Sequence, residues 1–481
     1  METIDALYQR KLSVFAMTIT LAGALVAGYV FYVCVNNIHR TESMLLRLFA
    51  LNLVYEGFVN VGYFVTVSDQ IFKVADFLQF VCVLISLTIL MRKGIRGGLI
   101  LYICVIAMSV AMLLLNPLQE LVRTFNGVDY VDNIKYQHYP TFDLQTVKTS
   151  VRLICFAINA TAIALCMTHE WWQTILDKYL KIGRVVIVYA WVEFVLKNVF
   201  DITVTETLIK IVFGSNTSVM TSLQRNGLFV IIGFNNEPSQ FCMMLYSYYL
   251  VYLMSRGYLR QTKSQIRLTI SGIALMVLCG SFRAVGFLPI LLVLYIIINR
   301  KKTRLSILVS TLSLLLVFLF VSGSLDYYLL RLERALLFAG TLDATIAGGE
   351  AGRLNTIVEA FEVFIKRPLF GIGPGQTFAY GFIPSILAMT GLAGLATWYH
   401  LMLGTVGRIG TSVDKNRWLL IMLVVSISWI YTDSIAIGYS IYVIPMMLSI
   451  RFDLSSDTVS PKYAQHKSEE RCTREGESIG I

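Results

Sequence analysis

The stretch from Leu325 to Gly375 reads LDYYLLRLERALLFAGTLDATIAGGEAGRLNTIVEAFEVFIKRPLFGIGPG, and it is a long polar insertion in an otherwise apolar sequence. Hydrophobic segments long enough to cross a bilayer precede and follow it. It ends in a turn rich in glycine and proline (371–375). The stretch therefore predicts a loop outside the membrane, held between membrane segments. Its five basic residues are Arg331, Arg334, Arg353, Lys366 and Arg367.

Composition places the chain among membrane proteins. Of its 481 residues, 56% are hydrophobic and 15% are charged, and the mean hydropathy is +0.68. Soluble domains carry roughly 25% charged residues. Apolar runs of about 20 residues recur, as transmembrane α-helices require, whereas the short alternating segments of a β-barrel are absent from the sequence. The first run, Leu12–Val35, is too long for the core of a signal peptide and predicts a retained helix.

The apolar runs predict an all-α fold, a polytopic transmembrane helical bundle of about 12–14 spans. The large outer loop is expected to contain short amphipathic helices. The candidate spans lie near 12–35, 44–67, 71–91, 98–116, 149–168, 180–200, 231–254, 265–281, 284–299, 305–323, 382–403, 417–433 and 435–450.

Clusters of lysine and arginine orient the bundle, because cytoplasmic loops carry an excess of basic residues. All the basic, short connections fall on one side, which is therefore predicted to be cytoplasmic. They are Arg92–Arg96, Lys178–Arg184, Arg256–Arg267, Arg300–Arg304 and Arg408–Arg417. The net charge of +10 is spread over such loops, which indicates topology rather than nucleic-acid binding.

Four regions follow from this topology. The first holds the first ten transmembrane helices and their short loops, and the second is the outer loop, which is predicted to bind substrate. The third holds the C-terminal transmembrane helices, and the fourth is a polar cytoplasmic tail predicted to be disordered. Their bounds are 1–323, 324–381, 382–450 and 451–481.

The outer loop is basic although it lies on the side where basic residues are rarer. Long loops escape the orientation rule, so these charges are either simple solvated charges or part of an anion-binding site. Apolar residues at helical spacing predict an amphipathic helix over Leu354–Ile365, which Pro368 ends. Arg353 then lies in the first turn, where its charge opposes the helix dipole unless an anion binds there.

Two charged residues lie at the outer ends of predicted spans. Arg283 lies in GSFRAVG (280–286), a tight hairpin between spans, where an arginine either faces a cavity or an anion or extends to the membrane interface. Glu237 lies in GFNNEPS (233–239), before a proline that suits the first turn of a helix. Glu237 is either a helix cap or a general base for a hydroxyl group.

Further groups carry weaker signals. The turn at 371–375 can present backbone N–H groups to a phosphate, although it lacks the Lys-Ser/Thr of a P-loop. The eight cysteines are scattered and form no ligand cluster, so neither a metal site nor a disulfide framework is predicted. Charges with no assignable partner lie inside predicted spans at Arg47, Glu56, Asp76, Glu193 and Asp433.

Three motifs, taken in order, resemble the O-antigen ligase and polysaccharide polymerase superfamily. NNEPSQF (235–241) is similar to its Glu-Pro-Ser element at the outer start of a helix. GSFRAVGFLP (280–289) is similar to its Ser-Arg element in a tight outer hairpin. GRLNTIVEAFEVFIKRPLFGIGPG (352–375), followed by LAMTGLAGLATW (387–398), is similar to its large outer loop, where an arginine, a short helix and two glycine-containing elements follow one another.

This resemblance implies an inverting, metal-independent glycosyltransferase without a cofactor. It implies the bacterial inner membrane as location, with the active site facing the periplasm. The implied donor and acceptor are undecaprenyl-diphosphate-linked oligosaccharides in the lipid bilayer. A chain-length regulator protein is compatible with this interpretation, and nucleic acid is not an expected partner.

Roles for single residues follow from the same resemblance. Glu237 is expected as the base or as the group that positions the acceptor. Arg283 and Arg353 are expected to neutralise the diphosphate leaving group, because the guanidinium group binds phosphate oxygens bidentately. The expected diphosphate ligands are Arg283, Arg353, Arg367, Gly371 and Gly373.

One departure from the superfamily favours a polymerase. Its ligases carry a histidine just before the helix that follows the large loop, whereas this chain has QTFAYGF (376–382) there, and His400 lies farther on. We therefore expect joining of repeat units into O-antigen or capsular polysaccharide. One alternative is a ligase that transfers polymer to lipid A-core. Another is a transporter of lipid-linked oligosaccharides, although the internal repeats usual in transporters are absent from the sequence.

Overall fold

The protein is mostly helical over the residues that the computed structural model describes. These residues are 17–58, 63–67, 70–120, 122–123, 137–213, 224–225, 228–235, 237–255, 262–279, 281, 283–298, 333, 350–377, 379, 381–406, 423–427 and 429–430. The helices are α1 (Leu21–Asn36), α2 (Thr41–Gly57), α3 (Val74–Lys93), α4 (Gly97–Leu115), α5 (Leu144–Cys166), α6 (His169–Phe200), α7 (Val204–Phe213), α8 (Pro238–Ser255), α9 (Lys263–Leu278), α10 (Arg283–Ile298), α11 (Glu350–Lys366) and α12 (Phe382–Val406).

Some predicted features lie outside the described residues and stay predictions. They are the spans at 305–323 and 435–450, most of the span at 417–433, the tail at 451–481, and the residues Arg331, Arg334 and Asp433.

A small three-stranded antiparallel sheet joins the stretch before α1 to the connection between α2 and α3. Its order is β1 (Met17–Ile19), β2 (Tyr63–Val67) and β3 (Gln70–Lys73). Short two-residue pairs form elsewhere, β4 (Val122–Arg123) with β5 (Gln137–His138) and β6 (Gln224–Arg225) with β7 (Leu228–Phe229). The all-α prediction is therefore right for most of the described fold, but it missed these strands.

The sheet also corrects the bounds of two predicted spans. The span predicted at 44–67 is helical only to Gly57, because the following YFVTV is rich in β-branched and aromatic residues that favour a strand. The span predicted at 12–35 becomes helical only at Leu21. The hydroxyl of Thr20 accepts a hydrogen bond from the Gly23 N–H at 2.9 Å and so caps α1.

Helix α8 begins later than its predicted span at 231–254. Gly233 has a φ of 55°, a left-handed conformation that places a turn before the helix. Pro238 then occupies the first helical position, where its missing N–H leaves no hydrogen bond unmade. The start of this helix is thus set by a glycine turn and a proline rather than by hydropathy.

In the described part of the chain, four helices are long and apolar enough to cross a membrane, judged by length and composition. They are Val74–Lys93, Gly97–Leu115, Leu144–Cys166 and Phe382–Leu401. Large apolar side chains also face outwards from the helices: Phe31 is 71% exposed, Met91 74% and Leu115 83%. Exposed apolar surface of this kind marks contact with a membrane or a partner. The chain therefore has the features of a membrane protein, and the full count of 12–14 spans stays a prediction.

Contacts between helices define a common end of the helical array. Lys93, at the end of α3, pairs with Glu42 of α2 at 2.7 Å and donates a hydrogen bond to the Leu165 carbonyl near the end of α5. At the opposite end of α2, the Phe58 ring lies 4.7 Å from the Tyr179 ring of α6. Helix α6 begins at His169, just after α5 ends near Lys93, and reaches the opposite end of α2 at Tyr179. It therefore runs away from Lys93. We call the end at which α3 and α5 begin and α6 ends the outer end, after its predicted side.

Helix α12 is broken at Gly391, where φ is 67° and ψ is −166°. The segment after α11, residues 368–373, fills the break. Backbone N–H and C=O groups that lose their helical partners at the break therefore find hydrogen-bonding partners within the protein. Four hydrogen bonds join the segment to both sides of the break: Leu392 N–H to Pro368 O (2.8 Å), Ala393 N–H to Leu369 O (3.1 Å), Ile372 N–H to Ala388 O (2.9 Å) and Gly373 N–H to Met389 O (3.0 Å).

Candidate functional site

Helices α8 and α10 pack side by side in the same direction. The guanidinium Nη1 of Arg283 lies 3.8 Å from the Sδ of Met243, and one turn farther along both helices the rings of Phe287 and Tyr246 stack at 4.2 Å. Glu237 directly precedes α8, and Arg283 is the first residue of α10. Each of these two predicted residues therefore lies at the N-terminal end of one of two neighbouring helices, and Arg283 is level with Met243, six residues beyond Glu237.

Arg283 is buried at the start of α10, with 8% of its surface exposed. Its backbone N–H donates to the hydroxyl of Ser281 at 3.4 Å, which fixes the hairpin. Burying a guanidinium group is costly unless anionic or polar groups face it. The N-terminus of α10 adds a partial positive charge of about half a unit at the same place. Side chain and helix together make this end of the α8–α10 pair attractive to an anion.

Glu237 is half-buried at the start of α8. Its backbone carbonyl accepts from the Phe241 N–H at 3.2 Å, so its main chain begins the helix. Its carboxylate accepts a hydrogen bond from the hydroxyl of Ser239. The cap predicted at this position is thus present in the backbone, while the carboxylate is turned towards the first helical turn.

Asn235 is a polar residue of this region that sequence reasoning missed. It lies in the turn before α8, where its backbone N–H donates to the Ile232 carbonyl at 3.0 Å. Its side chain is 2% exposed, and its Nδ2 has no acceptor among the described residues. An unpaired buried donor costs about 1–3 kcal/mol. Such a donor two residues from Glu237 fits a site whose acceptor oxygen comes from a bound ligand.

Two of the charges inside predicted spans find partners. Asp76 of α3 pairs with Arg152 of α5 at 2.8 Å, near the outer end. Glu193 of α6 pairs with Lys197 at 2.6 Å, and this pair is buried. The spacing of four residues on one helix was the signal that could have identified Lys197 as the partner.

Arg367 lies in a second group of contacts, where α11 meets the end of α4. Its Nη2 donates to both the backbone carbonyl and the side-chain oxygen of Asn116, at 3.1 Å each. The neighbouring Lys366 pairs with Glu120. These contacts fasten the end of α11 to the end of α4. Arg353 lies in the first turn of α11, as predicted, and α11 ends at Lys366, two residues before Pro368.

Gly371 and Gly373 do not direct their backbone N–H groups at a ligand. The Gly371 N–H donates to the Arg367 carbonyl at 3.1 Å, and the Gly373 N–H donates to the Met389 carbonyl of broken helix α12 at 3.0 Å. Both glycines have positive φ values, 67° and 107°. The expectation of a phosphate-binding turn is therefore corrected: these glycines permit a close approach between loop and helix.

Gln376 is a second buried polar residue that the sequence did not single out. Its Oε1 accepts from the Thr141 N–H at 2.9 Å, and its Nε2 donates to the hydroxyl of Thr146 at 2.7 Å. Asp143 caps α5 in the same network by accepting from the Thr146 N–H at 2.8 Å. Gln376 thus fastens the loop before α12 to the start of α5.

Five of the six predicted site residues, all except Arg353, fall into two groups by position. Glu237 and Arg283 lie at the N-terminal ends of the packed helices α8 and α10. Arg367, Gly371 and Gly373 meet where α11 and α12 join the ends of α4 and α5. Both groups lie at the outer end of the helical array, because α6 ends next to the strand that leads into α8. The exposed His400 lies beside Gly98 near the start of α4, at the other end.

A metal centre does not emerge from the described part of the chain. Within it, no group of three or more His, Cys, Asp or Glu side chains is placed to hold an ion. The cysteines there are free thiols spread over several helices.

Neither the protein-family models nor the curated proteins searched with this chain give a match. The function is therefore inferred from the residues and from their geometry.

Proposed function

We propose that this protein is an inverting glycosyltransferase that polymerises undecaprenyl-diphosphate-linked oligosaccharide repeat units into O-antigen or capsular polysaccharide. The observation that carries the proposal is the position of Glu237 and Arg283 at the N-terminal ends of two packed helices, α8 and α10. A carboxylate and a buried guanidinium group at the same end of two packed helices supply a base and a counter-charge for a diphosphate. The sequence resemblance gives the same two residues the same roles.

The proposed reaction is a displacement at the anomeric carbon of the donor sugar. A hydroxyl of the acceptor sugar attacks the anomeric carbon of the donor and forms the new glycosidic bond. The bond from that carbon to the diphosphate oxygen breaks, and undecaprenyl diphosphate leaves with the electron pair. A single displacement of this kind inverts the anomeric configuration. Glu237 accepts the hydroxyl proton or positions the hydroxyl.

Arg283 acts on the leaving group in this proposal. Negative charge develops on the bridging oxygen of the diphosphate as the bond breaks, and a fixed guanidinium group stabilises it. One such preorganised donor is worth about 10²–10³ in rate. Arg353 serves the same diphosphate from the first turn of α11, whose N-terminal dipole also attracts anions. The amide of Asn235 donates to a sugar or phosphate oxygen beside Glu237.

The membrane setting suits a lipid-linked substrate. The outward-facing apolar side chains and the four candidate spans provide a surface along which a polyprenyl chain can lie in the bilayer. We place the protein in a bacterial inner membrane with the site facing the periplasm. Its partners are then the lipid-linked donor and acceptor, and a chain-length regulator protein is compatible with this arrangement.

Deletion of the gene in the source cell tests the proposal, with surface polysaccharide resolved on a gel. Core bearing a single repeat unit, with the ladder gone, is the expected result. Bare core with polymer accumulating on the carrier lipid outside would instead mean a ligase. Single lipid-linked units trapped on the cytoplasmic side would mean a transporter, and the chemical roles given above would be refuted.

Substitution of the arginines tests the residue roles. Arg283→Ala or Arg353→Ala should abolish polymer at an unchanged protein level, because the diphosphate loses a counter-charge. Arg152→Ala is the matched control, since it removes an outer-end arginine that pairs with Asp76; polymer should persist. Normal polymer from both Arg283→Ala and Arg353→Ala would overturn the assignment.

A further inference from the structure

Helix α6 carries a buried ion pair close to the strand that leads into the candidate site. The Nζ of Lys197 lies 2.6 Å from the Oε1 of Glu193, and their side chains are 1% and 0% exposed. A buried ion pair is often no more stabilising than well-packed apolar residues of similar size. Its presence here therefore calls for a role beyond stability, and the contacts of the pair indicate one.

Both members of the pair bind the backbone of residues 230–233. The Oε2 of Glu193 accepts from the Gly233 N–H at 2.8 Å, and its Oε1 lies 3.5 Å from the Ile232 N–H. The Nζ of Lys197 donates to the Val230 carbonyl at 3.4 Å. Both charged side chains thus serve as hydrogen-bonding partners for the backbone of residues 230–233.

The next residue of α6 continues the same pattern. The Oδ1 of Asn198 accepts from the Phe229 N–H at 2.7 Å, and its Nδ2 donates to the Phe229 carbonyl at 3.4 Å. One turn before the ion pair, the ring of Tyr189 stacks on Phe234 at 4.3 Å. Side chains of α6 therefore hold the segment from residue 229 to residue 234 along its whole length.

The held segment leads directly into the candidate site. After Gly233 the chain turns, and the Asn235 N–H closes that turn on the Ile232 carbonyl at 3.0 Å. Glu237 follows two residues later, at the start of α8. A shift of the Gly233 backbone would thus move both the amide of Asn235 and the carboxylate of Glu237 relative to Arg283.

We propose that Glu193, Lys197 and Asn198 are positioning residues for this site. They fix the backbone at residues 229–233 and thereby the distance between the carboxylate of Glu237 and the guanidinium group of Arg283, without touching the substrate themselves. This inference rests on the proposed function for its effect on rate. Its structural part, the fixing of the segment, is independent of that function.

Two double variants separate positioning from stability. Glu193→Met with Lys197→Met removes the charges and the acceptor for the Gly233 N–H, while it keeps a core of similar volume. Glu193→Gln with Lys197→Met also removes the charges but retains a side-chain oxygen for that N–H. Because a misplacement of about 1 Å can cost about 100-fold in rate, kcat should fall about 10- to 100-fold in the first variant with KM nearly unchanged. The second variant should recover most of the rate.

A matched control is available on the same helix. Asp177 and Lys181 form a pair with the same four-residue spacing and the same 2.6 Å separation, but they are partly exposed and lie far from residues 229–233. Asp177→Met with Lys181→Met should leave kcat at the wild-type value.

Two single variants of Asn198 test the same role with less risk of misfolding. Asn198→Leu loses the acceptor for the Phe229 N–H, whereas Asn198→Asp keeps it. Only Asn198→Leu should lower kcat.

Hydrogen–deuterium exchange of the purified full-length protein gives a readout that needs no activity. The amides of Ile232 and Gly233 should exchange faster in Glu193→Met with Lys197→Met than in the wild type, and that of Gly233 should be restored in the glutamine variant. The Phe229 amide, which donates to Asn198, should exchange faster in Asn198→Leu. Unchanged exchange in the double methionine variant, or an unchanged kcat, would overturn the positioning role. If the wild type transfers no sugar, the proposed function is refuted, and the exchange measurement alone decides whether the cluster fixes the segment.

Discussion

Replacement of Gly391 by alanine tests whether α12 is a broken helix. Its backbone, with φ 67° and ψ −166°, lies in a region that is essentially open only to glycine. A Cβ atom at Gly391 would also lie 2.3 Å from the Leu369 carbonyl oxygen. The substitution therefore opposes both the break in the helix and the segment 368–373 that fills it.

The size of the effect follows from these two terms. Holding a non-glycine residue in this backbone region costs about 1–3 kcal/mol. The close contact with Leu369 displaces the filling segment, and the two hydrogen bonds from Leu392 and Ala393 to that segment contribute about 1 kcal/mol each. The free energy of unfolding of Gly391→Ala should therefore fall by about 3–5 kcal/mol.

Unfolding by SDS in mixed micelles measures this change, with tryptophan fluorescence as the signal. Trp398 and Trp429 suit this purpose, because both are almost fully buried and their ring centroids lie 5.2 Å apart. Gly28→Ala is the control, since Gly28 lies in α1 and a Cβ there meets nothing within 4 Å. Alanine is favoured over glycine in a helix by about 1 kcal/mol, so Gly28→Ala should be neutral or slightly stabilising.

A stable Gly391→Ala protein would refute the reasoning, because it would mean that α12 runs on as a continuous helix. The double variant with Gly371→Ala adds a second check. A Cβ at Gly371 would lie 2.4 Å from the Met389 backbone carbon on the other side of the same break. One displacement of the segment relieves both clashes, so the double variant should lose less stability than the two single variants predict together. Additive losses would mean that the two glycines do not share this interface.

Two further substitutions test the buried polar residues, both by the same unfolding measurement. Asn235→Leu should leave stability unchanged or raise it by about 1 kcal/mol, because the side-chain Nδ2 that it removes has no acceptor among the described residues. Sugar transfer should fall. A clear loss of stability would show that this Nδ2 has a partner in the protein. Gln376→Leu should instead lower stability by about 1–3 kcal/mol, because it leaves the Thr141 N–H without its acceptor and removes one hydrogen bond to the Thr146 hydroxyl, which keeps its bond to Asp143. Full stability would mean that this network is dispensable.

Hydropathy was sufficient to predict where most described helices lie, but not where each begins. The ends are set by single residues with local chemistry, such as the capping hydroxyl of Thr20 and the proline at position 238. The strand Tyr63–Val67 was missed because a run of β-branched and aromatic residues is as apolar as a membrane helix. Hydropathy alone does not distinguish the two, whereas the pairing with β1 and β3 does.

The candidate site was only partly accessible from the sequence. Glu237 and Arg283 could be chosen because charges stand out at the ends of apolar helices. The contacts of Gly233 with Glu193 join residues about 40 positions apart in the chain, and no local pattern predicts such a pairing. Likewise, the glycines at 371 and 373 look like a phosphate-binding turn until their partner, the broken helix α12, is known.

The segment from Arg367 to Gln376 is fastened at both of its ends to the connection between α4 and α5. Arg367 binds Asn116 where that connection begins, and Gln376 binds Thr141 near its other end. A segment attached at two points cannot rotate outwards as a hinged lid, because the rotation would break both attachments. Under the proposed function, this segment is therefore a fixed wall of the site rather than a moving part.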